Sequence, residues 1–91
     1  MKFKIALDNS TTETVEGSPI NIAGMDCFIH YDGAITKVSD KKSGMLIYES
    51  HSSEIVNSVN ASFLIGQHGL FQIERSNRKK LQHAGLNYPI N

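Results

Sequence analysis

Cys27-Phe28-Ile29-His30 is the one place where a thiol and an imidazole stand at a spacing that could suggest a metal ligand pair. The surrounding residues are aromatic and β-branched, which favours a strand, and residues three apart on a strand point to opposite faces. The spacing therefore argues against one shared ion, and Cys27 reads as a small buried thiol. His51, His68 and His83 lie in polar surroundings at no recognised ligand spacing. Asp26, Asp32 and Asp40 sit in or beside turn sequences, where an aspartate commonly bonds its own backbone. No nucleophile elbow, phosphate-binding loop, dinucleotide fingerprint or zinc-protease motif occurs, and no cofactor is implied. The expectation is a non-catalytic protein with no catalytic, cofactor or metal residues.

Two other groups of residues could carry contacts. Arg75, Arg78, Lys79 and Lys80 concentrate positive charge in a short segment, with Phe71 one helical turn before Arg75. A cationic helix face beside an aromatic ring can grip phosphate, an acidic protein patch or an RNA base. The plainer reading is a solvated face on which Glu74 pairs with Arg78. The second group is Phe28, His30, Ile35 and Lys37, which share one face of a hairpin. Left uncovered, that face exposes a Phe and an Ile, the mark of an interaction surface. The strand from Lys2 to Leu7 or the C-terminal tail could equally cover it.

The elements that would position these residues follow from periodicity. Phe3, Ile5 and Leu7 alternate with Lys2, Lys4 and Ala6, so residues 2–7 read as a strand that extends the sheet. Residues 8–18 read as a polar, turn-rich loop, with Gly17-Ser18-Pro19 as a breaker. Asp32-Gly33 between two strand-like runs predicts a type I′ hairpin in which Tyr31 faces Ala34 and Cys27 faces Val38. Cys27, Ile29, Tyr31, Ala34, Thr36 and Val38 then share a core face. Residues 45–49 supply a third strand and complete a meander.

After His51 the period becomes helical. Ile55, Val56, Val59 and Phe63 fall within about 100° of arc and are expected to face the core. Ser52 or Ser53 can cap this helix, and Gly66 and Gly69 should end it. Leu70, Ile73, Asn77, Leu81 and Ala84 trace a second helical stripe closed at Gly85. A strand over residues 70–75 is the rival reading, and the helical propensity of residues 78–82 favours the helix. The apolar tail, residues 86–91, is expected to pack back.

Composition bounds the rest. The chain has 91 residues, 40% hydrophobic and 20% charged, enough for a single α+β domain over residues 1–91. That domain is expected to be a small antiparallel β-meander of three to four strands packed against one or two α-helices. Nine Lys and Arg balance nine Asp and Glu. This argues against a strongly acidic DNA mimic and against a strongly basic nucleic-acid coat protein. One cysteine excludes a disulfide framework within the chain. No secretory signal is read at the N-terminus, and no run approaches the ~18 apolar residues of a membrane span. The expected location is therefore the cytoplasm, with no membrane partner.

The stretch from Asn21 to Ser62 resembles a type of small protein common in bacteriophages and other mobile elements. The resemblance covers about half the chain. It rests on a Gly-initiated hairpin ending in Val38-Ser39-Asp40-Lys41-Lys42-Ser43-Gly44-Met45, followed by the Ser-rich, Glu-containing helix start Ser52-Ser53-Glu54-Ile55. Members with a known role are often inhibitors or modulators of host machinery, including anti-CRISPR proteins. The resemblance implies a module in the host cytoplasm that binds a host protein or ribonucleoprotein complex and occludes one of its surfaces. The alternative is a small nucleic-acid-binding protein using Arg75, Arg78 and Lys79. A homo-oligomer formed through an open sheet edge is a third class.

Overall fold

A computed structural model describes residues 1–7 and 10–91; Asp8 and Asn9, part of the expected loop, lie outside the described residues. The fold is α+β, with two antiparallel sheets and two helices. Strands β1 (Lys2–Ala6) and β2 (Thr12–Glu16) pair with each other in a two-stranded sheet. The chain passes through Gly17 into β3 (Ser18–Ile22), the edge of a four-stranded sheet completed by β4 (Met25–Asp32), β5 (Ile35–Asp40) and β6 (Leu46–Ser50). Helices α1 (Glu54–His68) and α2 (Leu70–His83) follow.

The N-terminal strand thus does not extend the main sheet. It forms a hairpin with β2 that lies across the sheet's other face, where the Phe3 ring stacks on Phe28 with centroids 4.4 Å apart and planes 7° from parallel. Strands β2 and β3 replace most of the expected loop. β2 (Thr-Glu-Thr-Val-Glu) offers one apolar side chain, too little for a periodic signal, and Pro19 is tolerated because β3 is an edge strand.

The central hairpin forms one pair out of the expected register. Asp32 pairs with Ile35, Tyr31 with Thr36, Ile29 with Val38 and Cys27 with Asp40, so Gly33 and Ala34 make the turn. Gly33 has φ +59°, and Ala34 is not among the positive-φ residues. This is the pattern of a type II′ turn, which needs a glycine only at its first central position, whereas type I′ would force Ala34 into left-handed backbone. Each partner moves by two residues, so face membership survives. Cys27, Ile29, Thr36 and Val38 are buried as expected, Ala34 leaves the face for the turn, and Tyr31, next to the hairpin end, is exposed instead of joining the core.

That core face carries the main cluster: Ile22, Met25, Cys27, Ile29 and Val38 from the sheet, with Ala61 and Ile65 from α1. A bulge between Val38 and Ser39 places Ile47 as an extra residue on β6. Both Ile47 and Tyr48 then pack against the cluster. Beyond β5, Gly44 at φ +64° is buried so tightly that a Cβ would collide with the Lys4 carbonyl oxygen. Only glycine fits there. The tail packs back as expected: Ile90 N–H donates to the Lys42 carbonyl at 2.8 Å, and Asn91 Nδ2 donates to the carbonyls of Lys41 and Lys4.

The helices occupy the expected residues, and the strand alternative for residues 70–75 is excluded. Ser53 caps α1, accepting from Val56 N–H at 3.3 Å. The helix runs through Gly66 and ends only at Gly69. α2 buries Asn77 and Leu81, with Leu70, Ile73 and Ala84 half-buried, which is the expected stripe.

α1 sits the other way round. Its buried residues are Asn57, Ala61 and Ile65, while Ile55, Val56, Val59 and Phe63 are exposed. The two sets lie about 180° apart on the helix. The cause is the buried Asn57 side chain. Its Nδ2 donates to the carbonyls of Ser52 and Ser53 at 3.1 and 2.9 Å, and its Oδ1 accepts from Ser50 Oγ at 3.1 Å. Those bonds satisfy the open backbone groups of the β6–α1 turn and turn the small Ala61 toward the sheet.

Candidate functional site

The hairpin face does not form an open surface. Phe28 and His30 are buried beneath the β1–β2 hairpin, and Ile35 and Lys37 are half-buried. Of the two arrangements the sequence allowed, the covered one is adopted, because Phe3 on β1 finds its apolar partner in Phe28. Lys37 is held by Asp32 and Glu49, each at 3.6 Å. Phe28 and His30 therefore offer nothing for a partner to grip.

Beneath that hairpin lies a pair the sequence reading passed over. His30 Nε2 and Ser39 Oγ are 2.8 Å apart, at the floor of a recess of about 280 Å³ between the sheets. The register explains it: His30 pairs with Lys37, so Ser39 is its diagonal neighbour on the same face. The separation suits a nucleophile and its base. Both residues are buried, however, and among the described residues no carboxylate hydrogen-bonds the imidazole. The bond satisfies two buried polar groups. Burial, followed by the nearby Lys37, lowers the His30 pKa below its ordinary 6.5 and favours the neutral ring.

Cys27 projects into the helix-side cluster, on the opposite face from His30, so the two cannot share an ion. Burial, and after it the charges of Asp40 and Asp26, push the Cys27 thiol up to about 12. It is an inert core thiol.

Phe71, Arg75, Arg78 and Lys79 are all exposed, on the face of α2 opposite Asn77 and Leu81. Phe71 is 82% exposed, the highest value among the large hydrophobic side chains. Arg75, Arg78, Lys79 and Lys80 take part in no ion pair among the described residues; the expected Glu74–Arg78 pair does not form. Arg75 and Lys79, one turn apart, line a shallow depression with Gln72 and Ser76. The arrangement is a cationic surface with an aromatic ring standing in it, and among the described residues no acid lies within ion-pair distance of these four cations. Gly69 alone separates the end of α1 at His68 from the start of α2 at Leu70, so one glycine joins this cationic helix to one whose outer face is apolar.

A groove of about 410 Å³ separates α2 from β6, floored by Ile47, Leu64 and Ile73 with Lys80 at its edge. It is open, and its lining mixes these apolar residues with Gln72, Ser76 and Asn77. No helix is long and apolar enough to cross a membrane, among the described residues. In comparisons with known proteins, the chain matches no protein family, no curated protein and no solved structure.

Proposed function

We propose that the protein is a non-catalytic binding module that docks the outer face of α2 onto an acidic surface of a partner protein and occludes it. The observation that carries this reading is the 82% exposure of Phe71 among three cations, Arg75, Arg78 and Lys79, that form no ion pair among the described residues. Aromatic and Arg side chains are the residue types that most often anchor interfaces. A ring with two guanidiniums beside it supplies a desolvated anchor and charge-assisted hydrogen bonds to carboxylates. The resemblance of residues 21–62 to small phage and mobile-element proteins gives the setting, a host defence complex such as a CRISPR effector as the target.

Phe71 among arginines also supports a second reading, a stacking platform for an unpaired base with phosphates held by the cations. Four cations are few for strong non-specific binding at physiological salt, which places the protein partner first.

Affinity capture from a bacterial lysate, with and without nuclease, separates the two. A stoichiometric protein should survive nuclease with the unaltered chain and be lost with Phe71→Ala combined with Arg75→Ala. Loss of all bound material on nuclease treatment would transfer the α2 face to nucleic acid. Capture equal for both chains would remove that face from the account.

A further inference from the structure

We propose that the groove between α2 and β6 binds a small N-acyl amino acid, an apolar acyl chain carrying an amide N–H beside a carboxylate. The groove has a volume of about 410 Å³, within the roughly 300–1,000 Å³ of small-molecule sites. Its apolar lining comes from three elements, Ile47 on β6, Leu64 on α1 and Ile73 on α2. One buried polar side chain opens into it. Asn77 is only 8% exposed, and the surface it keeps lines the groove.

The orientation of that carboxamide is fixed from behind. Asn77 Nδ2 donates to Asp40 Oδ2 at 3.1 Å, and the same oxygen accepts from Ser43 Oγ at 2.6 Å. Asp40 and Ser43 are both buried, so the group that orients Asn77 is itself held in place. With its nitrogen committed to Asp40, Asn77 is left with Oδ1, which accepts from no donor among the described residues. No fully buried side-chain oxygen or nitrogen among those residues lacks a partner, so Oδ1 reaches solvent, and the groove is where Asn77 is open. An oriented, unpaired acceptor in the wall of a partly apolar groove selects a ligand with an N–H or O–H to donate.

Charge supplies the second half of the ligand. The ionisable groups in the lining are Lys80 and His68, both bases, and among the described residues no acid lines the groove. Lys80 is exposed and takes part in no ion pair among the described residues, so a carboxylate is the complementary group. Asn77 and Lys80 stand almost one turn apart on α2, a rise of about 4.5 Å. The neighbouring N–H and carboxylate of one acylated amino acid can reach both. Ser76 adds a donor for the ligand's amide carbonyl. From Lys80 back to Gln72 the wall of α2 runs about 12 Å, long enough for an acyl chain of medium length over Ile73, Leu64 and Ile47. A free fatty acid would leave the Asn77 acceptor unpaired, and a neutral amide would leave Lys80 unpaired. Phe71, Arg75, Arg78 and Lys79 do not line this groove, so the site is separate from the docking face proposed for α2.

Calorimetric titration with N-octanoylglycine tests the assignment, beside nonanoate, which lacks the N–H, and N-methyloctanamide, which lacks the carboxylate. The unaltered chain should bind N-octanoylglycine saturably at one site, and each of the other two about fivefold more weakly. Ser76→Trp, at an exposed position, should fill the groove and abolish binding. Lys80→Ala, also exposed, should weaken binding about fivefold with an unchanged circular dichroism spectrum. In proton–nitrogen spectra of the unaltered chain, the same titration should shift the Asn77 side-chain amide together with the signals of Ile47, Leu64 and Ile73. Absence of saturable binding would overturn the proposal. So would equal affinity for nonanoate, or full binding by a folded Ser76→Trp chain.

Discussion

Asp40 and Cys27 stand directly opposite each other across β4 and β5, both buried, and among the described residues no cation pairs with the aspartate. Asp40 is satisfied by hydrogen bonds instead. Ser43 Oγ donates to Oδ2 at 2.6 Å, Asn77 Nδ2 donates to the same oxygen at 3.1 Å, and Lys42 N–H donates to Oδ1 at 3.3 Å. One side chain thereby ties β5, the following turn and α2 together. Removing a donor to a buried carboxyl costs about 2 kcal/mol, so Asn77→Ala should lower the stability measured by urea unfolding by that amount. An unchanged midpoint would show that α2 docks without Asp40. His30 gives a pH dependence. Its folded-state pKa lies below the ordinary 6.5, so the unfolded chain takes up the proton first as the pH falls. The stabilisation is complete above pH 6.5 and drains away below it, down to the folded-state value. Urea midpoints should fall over that window, and His30→Gln should flatten the fall. A His30→Gln profile as steep as the parent's would place the titrating group elsewhere.

At the scale of elements, the core face of the central hairpin was legible in the sequence, and its register and the phase of α1 were not. The alternation in β4 and β5 assigned Cys27, Ile29 and Val38 to the core face correctly, because a hairpin slip of one pair keeps every residue on its side. The turn itself was misplaced because Asp-Gly and Gly-Ala both offer a primed turn, and only backbone geometry distinguishes them. With Gly33 at φ +59° and open space around it, Gly33→Ala should destabilise the hairpin by about 1 kcal/mol through backbone strain alone. Gly33→Asn should cost about as much, since Asn tolerates left-handed helical backbone but not the glycine region at the first central position of a type II′ turn, and a clearly smaller loss for Asn would contradict the assigned turn. α1 is the instructive failure. Hydropathy pointed Ile55, Val56, Val59 and Phe63 inward, but the three hydrogen bonds of Asn57 fix the helix in the opposite phase. A buried asparagine carries no periodic signal. Its clue lay in Ser50, Ser52 and Ser53, a cluster of partners at the β6–α1 turn. Asn57→Ala should cost about 2 kcal/mol in the same urea assay. A neutral result would leave the helix phase unexplained.

For the whole molecule, the layers decide which surfaces remain available. The β1–β2 hairpin closes one face of the main sheet over Phe28 and His30, and the helices close the other over Cys27, Ile29 and Val38. This removes the hairpin face as a contact surface and leaves the outer sides of α1 and α2, one apolar and uncharged, the other cationic around Phe71. The exposure of the α2 cations was readable in advance because a run of cations on a helix has nowhere to go but solvent. The α1 face was not, because its apolar stripe looks the same whether it points in or out. The proposed docking of the α2 face onto a partner protein is tested by nuclease-treated affinity capture with the unaltered chain beside the Phe71→Ala, Arg75→Ala variant. A stoichiometric protein held by the first and lost by the second is the expected result. A protein held equally by both, or no protein left after nuclease, would contradict it.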